Sequence, residues 1–486
     1  MKPTDIEIEA CPHSARCGGC RYAGCGYDTQ LEKKREYLQK LLSPYGEVLP
    51  VLPAEEPLHY RNKVIRSFGF ENGKAVSGMY EEHSRRLFPV PSCLLEDEGA
   101  DRILSDLAAL CAKQHIRPFD VRTKTGTLRH AMVRAGTRSG EYLLVLVTGT
   151  QEFPGRNNLV TAIRKAHPEI TSVVQNVNAS DTGIVLGQPG HGKTTGLQRV
   201  LYGPGFIRDT LSGLSFRISA DSFYQVNTRG AERLYETAIR LAGLTGRETV
   251  LDAYCGIGTI GLCAAASVKE GRVIGVEQNA DAIRDAIENA HKNHITNARF
   301  YPGDAGKFLE ERTELFPDVV FMDPPRSGAD GTFLSALCRA HPEKVVYISC
   351  GPEALARDLR TLTRDYRVTT IQPVDLFPLT EHVETVCLLV LRNPVTHINI
   401  DVDVEDLVQD KRGVATYDQI RDYVKEQTGL HVTNLNIAQI KRKCGIIESW
   451  SPFSLRQTIL HKAAPPSHVQ RRSPHRCMLR FRPLLP

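Results

Sequence analysis

Four carboxylate and thiol side chains of this 486-residue sequence stand at the ends of short apolar runs, where a turn must follow. Cys350 closes the run Val345-Val346-Tyr347-Ile348-Ser349 and is followed by Gly351-Pro352. A free cysteine is a small apolar filler in many cores, but as a thiolate it is a nucleophile. Asp323 follows the run in VVFMDPPRSG, and the two prolines behind it fix the backbone and cannot continue a helix. Glu384 lies in LTEHVETVCLLVLR, just before the last apolar run, and Glu277 ends RVIGVE. Between TVLDAY and the helical pattern IGLCAAASV, Gly256, Gly258 and Gly261 satisfy GxGxxG, which suits a nucleotide-type ligand at a strand-to-helix turn. An acidic side chain at Glu277, 25 residues after Asp252, can accept hydrogen bonds from both hydroxyls of a ribose. This much fits NAD and S-adenosylmethionine equally.

The loop at Asp323 separates the two. In amino-methyltransferases an acidic or amide residue before Pro-Pro holds the target amine, and an aromatic residue follows. Here Arg326 follows, which argues against amine methylation, and a dehydrogenase has no need of the loop. A thiol and a carboxylate beside a methyl donor suit methylation of a pyrimidine carbon. Uracil C5 is a poor nucleophile until a thiolate adds to C6. C5 can then attack the methyl group, a base must take the C5 proton, and the thiol is eliminated. The site is expected to favour the thiolate, since a free cysteine with a pKa of about 8.5 is only partly ionised at neutral pH. Arg326 is the candidate helper. Cys255, Cys263, Cys338 and Cys387 read as packing residues, and Asp323 has no His or Asp cluster near it to make it a metal ligand.

These residues need a scaffold. From about 216 to 392, strand-like runs (TVLDAY, RVIGVE, VVFMDPP, KVVYISC, VCLLVLR) alternate with helical segments, the signature of an α/β doubly wound parallel sheet. Residues 27–43 have the periodicity of an amphipathic helix, with Leu31, Leu38, Leu41 and Leu42 on one side. Residues 55–215 are mixed, with strand-like EYLLVLVTG and SVVQNVN. The boundaries that follow are 1–215 for a mixed α/β central domain, with helix 27–43 packing on the next domain, 216–392 for the sheet domain, 393–448 for a small extension with helices in ATYDQIRDYVKEQTG and NIAQIKRKCG, and 449–486 for a basic, disordered tail without an acidic residue. A second glycine loop, LGQPGHGKTTGL, has P-loop spacing at Gly187, Gly192, Lys193 and Thr194. The short stretch after it contains Gly196 and meets Gly203-Pro204, so a loop between two strands fits better than an NTPase.

The net charge of +5 fits a polyanionic partner without demanding one. The N-terminus shows no signal-peptide pattern, and no apolar run approaches a membrane span. Thirteen cysteines in that context point to a reducing, cytoplasmic compartment, where clustered thiols mean metal or catalysis. Cys11, Cys17 and Cys20 stand as C-x5-C-x2-C, which with a fourth ligand holds zinc or an iron–sulfur cluster; Cys25 is one choice for the fourth.

The motifs FYQVN (223–227), LDAYCGIGTIGL, GVEQN, GDA (303–305), MDPPRSG, YISCGP and LFPLTEHVETV resemble the RNA (uracil-5-)-methyltransferase family over roughly residues 11–392, and most closely its iron–sulfur-containing 23S rRNA members. The resemblance implies a Rossmann-like methyltransferase domain beside a central domain bearing a [4Fe-4S] cluster. It implies Cys350 as nucleophile, Glu384 as proton acceptor, and Gln225, Tyr254, Gly256, Gly258, Thr259, Glu277, Asp304 and Asp323 along the S-adenosylmethionine pocket. Thr259 stands where some members carry asparagine. Cys93, in FPVPSCLLEDE, is the implied fourth cluster ligand beside Cys11, Cys17 and Cys20. The implied substrate is a loop uridine of RNA, 23S rRNA rather than tRNA, taken out of its stack to reach the thiol. Many members begin with a small β-barrel that binds RNA; this sequence starts directly at the cysteines, so the central domain and the basic tail are expected to hold RNA. Arg61, Lys63 and Arg66 are candidate phosphate contacts, with a solvated strand face as the alternative. No protein partner or membrane contact is inferred. Alternatives from other classes are a tRNA uracil-C5 or a cytosine-C5 methyltransferase, a P-loop NTPase, and a non-catalytic RNA-binding protein.

Overall fold

The computed structural model describes residues 10–71, 74–84, 86–181, 183–188, 195–312, 317–392, 398–403 and 476–481, with Asp422, Lys425 and Glu426. The chain divides into a unit of residues 1–392 and a unit of residues 393–486. The first begins with a single turn, α1 (Ser14–Cys17), and a long helix, α2 (Tyr27–Leu42). A seven-stranded sheet follows, built from β1 (Lys63–Glu71), β2 (Lys74–Tyr80), β3 (Leu87–Pro89), helix α3 (Glu98–Lys113), β4 (Leu128–Ala135), β5 (Tyr142–Thr148), helix α4 (Arg156–Ala166), β6 (Ile170–Val177) and β7 (Gln198–Tyr202). Its order is β3-β2-β1-β4-β5-β6-β7, antiparallel except for β5 and β6, which α4 joins. A hairpin of β8 (Phe206–Leu211) and β9 (Leu214–Ser219) leads out of it.

The P-loop-like segment joins β6 to β7. Its residues 189–194 lie outside the described residues, but residues 198–202 after it form a strand antiparallel to β6, where a P-loop needs a helix.

The second sheet begins after α5 (Thr228–Ala242), capped by Asn227, whose side chain accepts from Gly230 N at 2.9 Å. Its elements are β10 (Thr249–Ala253), α6 (Thr259–Ala265), β11 (Arg272–Glu277), α7 (Ala280–Lys292), β12 (Ala298–Pro302), α8 (Ala305–Glu311), β13 (Val319–Met322), α9 (Gly331–Ala340), β14 (Lys344–Ser349), α10 (Pro352–Leu362), β15 (Tyr366–Val374) and β16 (Glu384–Leu391). The order is β12-β11-β10-β13-β14-β16-β15. The five strands β10 to β14 run parallel, while β16 is antiparallel to both neighbours, so the sheet is mixed rather than wholly parallel. The central strands are apolar over most of their length because helices cover both faces, with Asp252 of β10 a buried exception among them. Leu234, Ala238, Leu262, Ile283 and Ala286 from α5, α6 and α7 fill one side. On the other, Phe333, Leu337, Leu355 and Leu359 of α9 and α10 pack with Leu38 and Leu42 of α2. At about 1.5–3 kcal/mol per fully buried large apolar side chain, this second layer draws the N-terminal helix onto the second sheet.

In the second unit, β17 (Ile398–Asp403) pairs antiparallel with β18 (Arg476–Phe481). Six residues of the stretch expected to be a disordered tail are therefore a strand. Cys477, Leu479 and Phe481 fall on every second position with Arg476 and Arg480 between, a partial period-two pattern interrupted by Met478. The two helices expected in 412–448 lie outside the described residues except for Asp422, Lys425 and Glu426, which are helical.

Candidate active site

In a parallel sheet every strand ends at the same edge, and ligands bind in the crevice outside it. Here the crevice is a cavity of ≈ 760 Å³, within the range of small-molecule sites. Gln225, Tyr254, Gly256, Thr259, Glu277, Asp323, Cys350 and Glu384 all line it. Gly258 and Asp304 do not, although Gly303 and Ala305 beside Asp304 do. Gly258 instead supplies a left-handed turn at the N-cap of α6 (φ 83°), where an added Cβ would sit 3.0 Å from the Phe300 ring. Asp304 caps α8, accepting from Lys307 N, and also accepts from Gln278 Nε2 at 3.0 Å. The third glycine of the motif has its own reason: Gly261 N donates to Asp252 Oδ2 at 2.7 Å, and a Cβ there would lie 2.9 Å from that oxygen.

Cys350 and Glu384 come together through strand register. β14 and β16 are antiparallel with Ser349 opposite Thr385, and one further step along the same register sets Cys350 opposite Glu384. Because β16 runs against the others, its first residue lies at the edge where the parallel strands end. Glu277 is anchored by two backbone donors, Gly256 N at 3.3 Å and Asn279 N at 2.8 Å. The hydroxyl of Tyr254 is buried without a hydrogen-bond partner, so this wall of the cavity holds a polar atom that a ligand could satisfy.

The electrostatics differ from the expectation of a favoured thiolate. Burial pushes the Cys350 thiol up to about 11; Glu384 and Asp323 push the same way, and Arg326 only partly opposes them. Burial raises Glu384 well above the ordinary carboxylate range, with Asp323 adding to it. Asp323 itself, held in the cavity wall, rises to about 7 through burial. On the neighbouring strand β10, Asp252 rises to about 8, chiefly through burial. The site thus gathers acidic groups that are short of positive charge, a setting that suits a cationic ligand. Arg326 is exposed and lies 3.3 Å from His382 Nδ1.

The cavity also holds residues the sequence did not single out, among them Tyr235, Gln278, Asp330 and Phe377. Phe223, 66% exposed, also lines it; it lies in the FYQVN motif, two residues before Gln225. Among the candidate phosphate contacts, Arg61 lines the cavity. Lys63 is half-buried, and burial lowers it to about 8, with Arg134 next in effect. Arg66 is not available to RNA. It is 3% exposed and donates to Glu96 Oε1 at 2.6 Å, with Asp101 on its other arm. The alternation of β1 puts Arg66 on the opposite face from Lys63, while Arg61 precedes the strand.

Cys11, Cys17, Cys20 and Cys93 line one small cavity of their own, and Cys25 is not part of it. Burial raises Cys20 to about 12, and Cys93, Cys11 and Cys17 add to the rise in that order, so the four sulfurs act on one another. Four neighbouring thiols in one pocket fit an iron–sulfur cluster or zinc in donor type and number. Among the described residues, however, no group of three or more His, Cys, Asp or Glu side chains has the geometry of a metal site. No helix among them is long and apolar enough to cross a membrane.

The family described as tRNA (Uracil-5-)-methyltransferase matches residues 196–392. The chain is 40% identical over 395 residues to an uncharacterized RNA methyltransferase of Halalkalibacterium halodurans, covering 79% of this chain and 84% of that one. It is 39% identical over 389 residues to another from Listeria innocua, covering 79% and 83%. Among solved structures, the tRNA (uracil-54, C5)-methyltransferase of Pyrococcus abyssi, in complex with S-adenosyl-L-homocysteine, superposes with a TM-score of 0.64 at 27% identity, over 77% of this chain and 86% of that one.

Proposed function

Because this chain belongs to the RNA (uracil-5-)-methyltransferase family, we propose that it methylates C5 of a loop uridine in 23S ribosomal RNA, with Cys350 as nucleophile and Glu384 as proton acceptor. It is a class I S-adenosylmethionine-dependent RNA methyltransferase. What carries the residue assignment is the convergence of Cys350, Glu384, Asp323 and Glu277 on one cavity at the carboxyl edge of the sheet. The acid-lined wall and the unpartnered Tyr254 hydroxyl suit S-adenosylmethionine, which supplies an electrophilic methyl group when bound. Glu277, Tyr254, Gly256, Thr259, Gln225 and Asp323 would hold it, with Gly258 and Asp304 shaping the loops behind.

Cys350 Sγ adds to C6 of the uracil, and C5 gains the electron density to take the methyl group. Glu384 then removes the C5 proton, the C5–C6 double bond re-forms, and the thiolate leaves. A carboxylate whose proton affinity is raised by burial is a stronger base than one in water. The same burial raises the pKa of the free thiol, so its proton has to be taken up inside the site before attack, and Asp323 is the carboxylate acting on it that the later C5 step leaves free. At the N-terminus, Cys11, Cys17, Cys20 and Cys93 are assigned to a [4Fe-4S] cluster with a structural role, since the proposed methyl transfer needs no electrons. The shared pocket supports that assignment. The resemblance of the cysteine spacing to the 23S rRNA members favours ribosomal RNA, and a cytoplasmic location follows from that substrate.

A second reading, a tRNA substrate, is favoured by the likeness to the Pyrococcus abyssi enzyme. The test is incubation with methyl-labelled S-adenosylmethionine and 5-fluorouridine-substituted 23S rRNA or tRNA, followed by a denaturing gel. Fluorine cannot leave C5 as a proton does, so a labelled protein–RNA band should form with 23S rRNA and vanish in Cys350→Ala. A band with tRNA alone would keep the chemistry and replace the substrate. No band with either would overturn the mechanism.

A further inference from the structure

Helix α2 carries its apolar residues into the second sheet, yet three large polar side chains on it are completely buried. Tyr27, Gln30 and Lys34 are at most 1% exposed, and their spacing of three and four sets them on one helical face. Burying a lysine costs several kcal/mol unless it is paired. Burial lowers Lys34 from its ordinary value, and Asp375 opposes that shift.

All three side chains reach the same target, the connection 375–383 that joins β15 to Glu384. Lys34 Nζ donates to Asp375 Oδ1 at 2.6 Å and to the Phe377 carbonyl at 3.0 Å. Tyr27 Oη donates to Asp375 Oδ2 at 2.9 Å and accepts from Ala54 N at 2.8 Å. Gln30 Oε1 accepts from Leu379 N at 3.0 Å. Leu379 has a left-handed backbone (φ 66°), a strained conformation for a branched side chain, and it is fully buried against Cys20, Tyr27 and Tyr60. Strain of that kind persists only where the surroundings over-determine it. The connection ends at Glu384 and carries Phe377, which also lines the active-site cavity.

We propose that Tyr27, Gln30 and Lys34 are positioning residues for proton abstraction: their buried polar face holds the 375–383 connection so that the Glu384 carboxylate meets the C5 proton of the covalent intermediate. The proposal rests on the reading of Cys350 and Glu384 given above. In the step concerned, the C5–H bond breaks and the proton passes to Glu384. The C–H electron pair forms the C5–C6 double bond, and the C6–S bond breaks to release the thiolate. A loosened connection misplaces the base while leaving Cys350 untouched at the end of β14. The methylated adduct should then form but resolve slowly, since a displacement of about 1 Å can cost about a hundredfold in rate.

The test uses full-length protein, ordinary uridine-containing RNA and labelled S-adenosylmethionine. The variants are Tyr27→Phe and the neutralised pair Lys34→Met/Asp375→Asn, which leaves no buried unpaired charge, with Glu384→Gln as reference. Both should accumulate a denaturant-stable, labelled protein–RNA adduct, as the reference does. Product release should slow by about ten- to a hundredfold, and the KM for RNA should fall along with kcat because the adduct accumulates. If the reference accumulates adduct while both folded variants turn over like the parent, or lose adduct and product in parallel, the positioning role is wrong. If Glu384→Gln itself forms no adduct, the reading of Glu384 as base fails and the proposal falls with it.

Discussion

Cys350 meets two carboxylates in its pocket and one weakly opposing guanidinium, and the balance decides its reactivity. A neighbouring anion disfavours a second negative charge, so Asp323 and Glu384 hold the thiol in its protonated form, on top of a larger effect of burial. Removing the Asp323 charge must therefore lower the thiol pKa, and alkylation by iodoacetamide reports the thiolate. In the free protein, Cys350 should be slow to react at neutral pH. Its rate should still be climbing above pH of about 10, where a cysteine with a pKa of about 8.5 has levelled off. In Asp323→Asn the rise should come at lower pH. A parent rate that levels off at the ordinary value, or an unshifted profile in the variant, would contradict this account. The residues that the sequence singled out here do meet in one cavity, but the sign of the thiol's shift was missed, because residue types show which groups could meet and not how little water reaches them. Arg66 makes the same point. It stands in the basic pattern of HYRNKVIRSFGF beside Arg61, but Glu96 and Asp101, some 30 residues on, claim it.

At the scale of the element, what the sequence showed clearly were buried strands and long periodic helices. β10, β11, β13, β14 and β16 are apolar runs covered on both faces, and α2 follows its leucine periodicity. The two edge strands of the same sheet, β12 and β15, were not read as strands. ARFYP buries only alternate residues, and YRVTTIQPV is polar in its first half and contains Pro373. Such runs form strands only because a neighbour is there to pair with, which is tertiary information. The cysteine-bearing segment is another element whose identity depends on distant parts. Cys93 reaches the pocket of Cys11, Cys17 and Cys20 from beyond β3, while Cys25, much nearer in sequence, turns away toward Lys33 Nζ at 3.9 Å. Iron and sulfide content of anaerobically prepared protein should accordingly collapse in Cys93→Ser and persist in Cys25→Ser. Zinc without sulfide in the parent, or the opposite pattern in the variants, would overturn the assignment. If a cluster is held there, its loss should also loosen Leu379, which packs on Cys20.

For the whole molecule, the question is what the catalytic cavity requires of the chain. Each residue lining it, from Arg61 to Glu384, belongs to the unit that ends at Arg392, and so does each side chain that braces Glu384 from behind. The last strand of the catalytic sheet, β16, closes at Leu391, so the hydrogen-bonded ladder of the sheet is complete before residue 393. Residues after Glu448 bring no acidic side chain but several arginines, including Arg471, Arg472, Arg476, Arg480 and Arg482. If these arginines contact phosphate, they add affinity and salt dependence but no chemistry. A chain ending at Arg392 should therefore fold and turn over at the parental rate at saturating RNA. Its KM for RNA should rise as salt is raised from low to moderate concentration. The slope of log affinity against log salt should flatten by about 0.7 for each phosphate of single-stranded RNA that the arginines no longer neutralise. Steady-state kinetics over a salt series measures both quantities at once. A folded truncation with no turnover at any RNA concentration would place part of the catalytic apparatus after Arg392. An unchanged salt slope would remove the arginines from the RNA interface and leave phosphate contact to basic side chains of the first unit, with Arg61 and Arg326 at the cavity and the half-buried Lys63 among the candidates.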